Sequence, residues 1–341
     1  MKPINVLLVD DSKFMRDSLT LLLSDIPIIK ICGSVSNGID AIYFVKNNSV
    51  DIIIMDIEMP KLDGVETTKI IMKENPKPII LLTAADRKHK KTIEALINGA
   101  VDFIQKPGGS SRSFDLIEVK DKIIEKIKNA IITNFSRKTS GIKETSDRTI
   151  SRYFNLILIG VSTGGPGTLV RILQSLPASF EIPILIVQHI REGYTSDLAE
   201  SLSRNCAIPV IEVNGYSSME KAVYIAKAGF HLELTGEGTQ IKLSKSEIRS
   251  GFRPSVDVLF ESASEKFKKK ILGVVLTGMG NDGTDGCKKL IEKNHTVIIQ
   301  DESTSIVWGM PKAVYESGFY TAMYPLEKIA QTISNLKLPP V

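Results

Sequence analysis

Along the first part of the chain, short apolar runs alternate with amphipathic segments. Asn5 to Val9, Lys30 to Ser34, Asp51 to Asp56, Pro78 to Thr83 and Val101 to Gln105 read as strands. A strand covered on both faces is written as a continuous Val, Ile and Leu run rather than an alternating one. Between them, segments such as Ser12 to Leu23 and Gly64 to Lys73 carry the helical period. That order predicts one doubly wound parallel sheet of flavodoxin-like topology, whose site lies beyond the carboxyl ends of its strands. The pattern stops after Ile123 to Ile132, and Asn134 to Ser151 is polar and rich in Ser and Thr, too poor in apolar surface to fold alone. It then resumes: 154 to 161, 182 to 188, 208 to 213 and 271 to 277 read as strands, and 166 to 175, 195 to 203 and 255 to 268 as helices. His231 to Ser244 differs, with the period of two and the glycine turn of a β-hairpin. The expectation is an α/β protein of two domains, 1–125 and 152–341, joined by a linker at 126–151. The second domain would be a doubly wound, mostly parallel sheet with an antiparallel hairpin.

A chain of 341 residues is long enough for the two cores this implies. With 43 basic and 39 acidic residues the net charge is +4, too balanced to imply a nucleic-acid partner. The Lys and Arg residues of 152–341 are spread out, and no helix-turn-helix stands apart from the sheet units, which disfavours a DNA-binding output. Cys32, Cys206 and Cys287 lack paired metal spacing and read as reduced thiols of a cytoplasmic protein. The apolar run before Asp10 is too short for a secretory signal, and no run reaches spanning length, so no membrane insertion is expected.

Candidate chemistry gathers at the strand ends. Asp10 and Asp11 end the first strand and Asp56 the third, and carboxylates on adjacent strand ends repel unless a cation joins them. An all-oxygen pocket with few protein ligands suits Mg2+. Thr83 ends the fourth strand and Lys106 follows the fifth; a hydroxyl and an ammonium beside three carboxylates can bind the oxygens of a phosphorylated aspartate. These residues, with Met55-Asp56-Ile57-Glu58-Met59-Pro60 and Lys106-Pro107, resemble the receiver domain of two-component response regulators over residues 1 to about 122. The resemblance implies that Asp56 accepts the phosphoryl group. Asp11, Asp56 and the Glu58 carbonyl would ligate Mg2+, with Asp10 supporting the metal through water. Thr83, Phe103 and Lys106 would sense the modification, and the Lys106–Pro107 bond would be cis.

In the second domain, Gly160-Val161-Ser162-Thr163-Gly164-Gly165-Pro166-Gly167 runs from a strand into a helix, where outward-pointing amides can hold an anion or an oxyanion. Ser162, His189 and Asp282 each follow a different strand, and open α/β sheets deliver such side chains to one edge. That is the constellation of a serine triad, in which histidine takes the hydroxyl proton and a carboxylate fixes its tautomer. The order Ser, His, Asp disfavours an ordinary α/β-hydrolase, whose acid precedes the histidine. Taken singly, the glycine turn could instead hold a phosphate or nucleotide in a non-catalytic output domain, and Asp282 could merely cap a helix over Thr284 to Glu292. Of the remaining histidines, His231 reads as structural and His89 and His295 as surface residues.

These segments, with Val187-Gln188-His189, Pro254-Ser255-Val256-Asp257-Val258-Leu259-Phe260, Thr277-Gly278-Met279-Gly280-Asn281-Asp282 and Gly309-Met310-Pro311, resemble the chemotaxis protein-glutamate methylesterases. Ser162 would then be the nucleophile, His189 the general base, Asp282 its orienter and the Met279 amide the oxyanion donor, with no cofactor in this domain. The family implies a phosphorylation-activated demethylase, and a deamidase of glutamines. It acts on the cytoplasmic helices of chemoreceptors and takes its phosphoryl group from a chemosensory histidine kinase. Two segments depart from the family's pattern: Ile190-Arg191-Glu192-Gly193, where a Met-Pro-rich turn is usual, and Ala226-Lys227-Ala228-Gly229, where a Pro-Gly turn is usual. A polar linker would also let the unphosphorylated receiver cover the Ser162 site.

Overall fold

The structure is a computed structural model that describes residues 2–83, 89–106, 116–136 and 150–340. The chain divides into two compact units, Met1–Phe135 and Ser136–Val341.

The first unit runs β1 (Ile4–Val9), α1 (Lys13–Ser24), β2 (Ile29–Val35), α2 (Gly38–Asn47), β3 (Ile52–Asp56), α3 (Gly64–Glu74), β4 (Ile79–Thr83), α4 (His89–Ile97), β5 (Asp102–Gln105) and α5 (Leu116–Ser136). Its sheet has the order β2-β1-β3-β4-β5 and every pairing is parallel. The apolar runs are the reason: every residue of β3 and β4 is buried, because helices cover both faces of a parallel sheet. Helix starts are marked by polar caps. The Ser12 hydroxyl accepts from Met15 N, and the Asp63 carboxylate from Val65 N and Glu66 N. Helix α5 continues to Ser136, so the first residues of the expected linker are helical. Pro107, and with it the expected cis bond, lies outside the described residues, as does the His89 side chain.

The second unit contains β6 (Leu156–Val161), α6 (Gly165–Gln174), β7 (Ile184–Gln188), α7 (Thr195–Arg204), β8 (Val210–Glu212), β9 (Tyr216–Ser218), β10 (Val223–Ile225), β11 (His231–Thr235), β12 (Gln240–Ser244), α8 (Val256–Lys266), β13 (Ile271–Val275), α9 (Thr284–Glu292), β14 (Thr296–Gln300), α10 (Met310–Ser317), β15 (Ala322–Tyr324) and α11 (Leu326–Ser334). Seven strands form one parallel sheet in the order β15-β14-β13-β6-β7-β10-β8. The hairpin stands apart from it: β11 and β12 pair antiparallel and β9 joins them as a third strand, which the sequence pattern did not announce.

Alternation along β6 divides the core. Leu156 and Leu158 pack with Val256, Leu259 and Phe260 of α8, Cys287 and Leu290 of α9, and Met310 and Val314 of α10. The other face is covered by α6, α7 and α11. The chain winds from β6 outward to β8 and then returns to lay β13 on the other side of β6. The carboxyl ends of β6, β7 and β13 therefore meet at the reversal, where open α/β sheets keep their sites. No helix among the described residues is long and apolar enough to cross a membrane.

Candidate active site

The register brings Ser162 and His189 side by side. Val161 is opposite Gln188 in the β6–β7 ladder, and each candidate residue is the next one along its strand. His189 N donates to the Val161 carbonyl at 3.0 Å. Gln188 braces the pair: its Nε2 donates to the carbonyls of Ser162 (2.8 Å) and His189 (2.9 Å). The loop after β13 closes on the same point. Ser162 N donates to Thr277 O at 3.0 Å, and a Cβ added to Gly278 would stand only 2.7 Å from the Ser162 Cβ. Only glycine permits that approach. Gly164, with φ 75°, opens α6 in the left-handed region that glycine adopts without strain.

Asp282 completes the arrangement from β13. Its Oδ2 lies 2.7 Å from His189 Nε2, so Nε2 carries the ring proton and Nδ1 is the basic nitrogen. Nδ1 is buried and has no hydrogen-bond partner among the described residues. Phe252 stacks on the imidazole, with ring centroids 3.9 Å apart and planes 2° apart, and so fixes the plane in which Nδ1 points. Asp282 does not cap α9, whose N-cap is Gly283. Its carboxylate lies instead at the amino end of α8. Val256 N donates to Oδ2 at 2.7 Å, while Asp257 N (3.1 Å) and the Ser255 hydroxyl (2.7 Å) donate to Oδ1. Burial works to raise the Asp282 pKa, but the hydrogen bond and charge of His189, together with these amides, overcome it and hold the carboxyl below its ordinary range.

The loop carrying Met279 is pinned on its other side. Gly309 N and Met310 N, at the start of α10, donate to the Gly278 carbonyl at 3.0 and 2.8 Å, which fixes the plane of the Gly278–Met279 peptide. Thr277 N donates to Gln300 Oε1 at 2.8 Å, and the Thr277 hydroxyl donates to Thr163 O at 3.0 Å. The two segments that depart from the family pattern touch each other, since a Cβ added to Gly229 would meet Glu192 Oε1 at 2.6 Å.

His231 is fully buried: its Nδ1 accepts from Ser255 N (3.2 Å) and its Nε2 donates to Glu247 O (2.9 Å), the structural role expected of it. His295 is not a surface residue; it is half-buried, its Nδ1 accepts from Ile271 N at 3.4 Å, and burial lowers its pKa. Sequence reasoning gave no role to Gln188, Phe252, Ser255 or Asp257. The only signal was their place within or beside the motif segments, because their partners lie on other elements.

In the first unit the structure gathers Asp10, Asp11 and Asp56, each offering a carboxylate oxygen within 4.8 Å of the others. Lys106 Nζ contacts Asp10 Oδ2 and Asp56 Oδ2, both at 2.8 Å. Burial works against the Lys106 ammonium, but its hydrogen bonds to the two carboxylates prevail and raise its pKa. Burial pushes Asp56 up, and Lys106 pulls it part of the way back. One ammonium cannot neutralise three carboxylates, so the residues fit a hard, oxygen-seeking cation. Thr83 is buried at the end of β4 and Phe103 is buried within β5, opposite Leu81, and Lys106 N donates to Thr83 O at 2.7 Å. Glu58 lies two residues past Asp56, outside the cluster of carboxylates, and half-buried.

Residues 157–333 match the CheB methylesterase family and residues 6–118 the response regulator receiver domain. A relative from Halalkalibacterium halodurans, a protein-glutamate methylesterase/protein-glutamine glutaminase, is 40% identical over 97% of this chain and 97% of its own. One of the same description from Thermotoga maritima is 38% identical over 98% of each chain. The crystal structure of the Thermotoga maritima CheB methylesterase catalytic domain, 38% identical, covers 54% of this chain and 98% of that one with a TM-score of 0.51. A nucleotide-binding output domain finds no support in these relatives. With both domains matched in order and full-length relatives near 40% identity, the chain belongs to the CheB methylesterase family and carries a response regulator receiver domain ahead of its methylesterase domain.

Proposed function

We propose that the second unit hydrolyses glutamate methyl esters, and glutamine side-chain amides, on the cytoplasmic helices of chemoreceptors, using Ser162 under the control of phosphorylation at Asp56. The observation that carries this reading is the His189–Asp282 pair. Its bond is 2.7 Å, and the basic Nδ1 is buried without a partner among the described residues, beside the strand end that bears Ser162. The Ser162 hydroxyl attacks the ester carbonyl while Nδ1 takes its proton. The tetrahedral oxyanion lies against backbone amide, with Met279 N as the donor and the pinned Gly278–Met279 peptide as its support. Collapse expels methanol, or ammonia from an amide, protonated from Nδ1. Water then attacks the acyl-serine, again deprotonated by His189, and releases glutamate. Asp282 stays ionised throughout and stabilises the imidazolium.

In the receiver, Asp10, Asp11, Asp56 and the Glu58 carbonyl would hold Mg2+, which offsets the negative charge of the phosphoryl oxygens when bound. Asp56 takes the phosphoryl group from a chemosensory histidine kinase. The Thr83 hydroxyl and Lys106 ammonium then bind its oxygens, and Phe103 responds to the change. In this reading 1–125 is the receiver, 126–151 the connector and 152–341 the catalytic domain of a cytoplasmic enzyme. Methanol release from methylated receptor membranes tests it. Release by the full chain should rise on adding Mg2+ and a small phosphodonor, and no release under either condition would overturn it.

A further inference from the structure

His231 is a buried side chain that the mechanism does not use, and it stands between the two supports of His189. Those supports come from separate segments: the Asp282 carboxylate, seated at the amino end of α8, and the Phe252 ring, stacked on the imidazole. His231 opens β11 opposite Ser244 of β12 and has no exposed surface. Each of its ring nitrogens has one partner. Nδ1 lies 3.2 Å from Ser255 N and Nε2 lies 2.9 Å from Glu247 O. An amide N–H only donates and a carbonyl only accepts, so Nδ1 carries the lone pair and Nε2 the proton. Neither partner belongs to the three-stranded sheet that holds His231.

We propose that His231 is a positioning residue for the esterase, tying the seat of Asp282 and the loop of Phe252 to one ring and so holding His189 from both sides. The inference rests on the reading of His189 as the base that Asp282 orients.

The arm through Ser255 is short. Ser255 is the N-cap of α8; its hydroxyl donates to Asp282 Oδ1 at 2.7 Å, and the next two amides, Val256 N and Asp257 N, donate to the same carboxylate. Fixing Ser255 N from outside the helix therefore steadies all three donors. The arm through Glu247 is longer but braced. Past Glu247 the chain reverses in a two-residue turn at Ser250 (φ 53°) and Gly251 (φ 82°), across which Arg249 and Phe252 exchange backbone hydrogen bonds of 3.2 and 2.9 Å. Arg253 Nη1 donates to Ser246 O at 3.1 Å and closes the loop behind that turn, while Arg249 reaches Glu261 of α8 at 3.1 Å. Gly229 N, two residues before His231, donates to Arg253 O at 3.0 Å. The ring over His189 is thus carried by a loop whose near side is anchored on His231 and the residues just before it.

The test is kcat and KM for methanol release by the full-length chain, activated with Mg2+ and a small phosphodonor, in His231→Leu, His231→Asn, His231→Gln and His189→Ala, with each fold checked by circular dichroism. Leu is close to His in volume and cuts both bonds. It should lose on the order of 100-fold in kcat, the scale of a misplaced catalytic group, with KM within about twofold of the parent. Asn can set its oxygen near the place of Nδ1 and keep the Ser255 arm; Gln can set its nitrogen near that of Nε2 and keep the Glu247 arm. Each should recover on the order of tenfold over Leu, the worth of one hydrogen bond. The recovery by Gln should vanish when Phe252→Ala is added, and that by Asn should survive. If His231→Leu does not fold, the Asn and Gln chains decide alone, each slower than the parent by on the order of tenfold in kcat with KM unmoved. Parent-like kcat in the folded variants, a loss that falls on KM, or Asn and Gln no faster than folded Leu would overturn the proposal while leaving the triad standing. Full activity of His189→Ala would overturn both.

Discussion

The two candidate sites occupy the same place in two parallel sheets, yet they treat carboxylates in opposite ways. In the receiver, Asp10, Asp11 and Asp56 stand within 4.8 Å of one another with Lys106 as the cation in contact, and Asp11 is exposed. The surplus negative charge is what would recruit a cation and, with it, a phosphoryl group. In the methylesterase unit, Asp282 has no access to water and four donors. A carboxylate satisfied this completely neither moves nor binds a new partner, and its charge is available only to His189. An under-satisfied cluster makes a binding site. An over-satisfied one makes a support for catalysis.

The largest expected effect falls on the second site. Ser162→Ala deletes one hydroxyl at a strand end, so it should fold normally and lose on the order of 10⁴-fold or more in kcat. Near-normal turnover by the folded variant would remove Ser162 from the mechanism. The corresponding change in the first site is Asp56→Asn, which should abolish labelling by a phosphodonor with Mg2+ and leave the basal esterase rate as it was. Persistent labelling would move the acceptor to another carboxylate, with Asp11 the next candidate.

A smaller effect concerns how the sites communicate. The catalytic domain of a Thermotoga maritima relative has been crystallised alone, so a fragment beginning near Ser151 is a reasonable folding unit. If the receiver represses, that fragment should outpace the unphosphorylated full-length chain on one methylated substrate and ignore phosphodonor. A fragment no faster than the full chain would reject repression in favour of direct stimulation.

The smallest effect is on stability. Folded Asp257 keeps its proton to about pH 7, whereas an unfolded aspartate releases it near 3.8. Between those values the folded state binds more protons, so this group's contribution is complete at low pH and declines as pH rises through the window. Relative to the parent, Asp257→Asn should therefore gain stability from pH 4 to 7, by at most about 1.4 kcal/mol per pH unit. Denaturant titrations across that range would show it, and a constant difference would mean that Asp257 is ionised in the folded chain.

The strands were legible because buried parallel strands are written as unbroken apolar runs, and β1 to β5 fall within a residue or so of the expected spans. That Ser162, His189 and Asp282 would converge, and Asp10, Asp11 and Asp56 likewise, was legible because each ends such a run or, for Asp282, follows it by a short glycine-bearing loop. The short strands β9, β10 and β15 gave too little pattern to register, at three residues each, whereas β8 falls inside the apolar run expected at 208 to 213. The seat of Asp282 was hidden for a different reason. It is made of two amides and a hydroxyl at the start of α8, about 25 residues earlier in the chain, and local sequence carries no mark of which helix end a carboxylate will find. Asp257 reads as an ordinary acidic residue in a first helical turn. Its burial against Asp282 and Gly286 exists only once α8 and α9 pack.

The assignment of Ser162 as nucleophile with His189 as its base can be read from a covalent label. The full-length chain, activated with Mg2+ and a small phosphodonor, would be treated with a fluorophosphonate and its peptides mapped by mass spectrometry. The label should sit on Ser162, and His189→Ala should slow its uptake sharply without changing the fold. A label on any other serine, or uptake unchanged by His189→Ala, would contradict it.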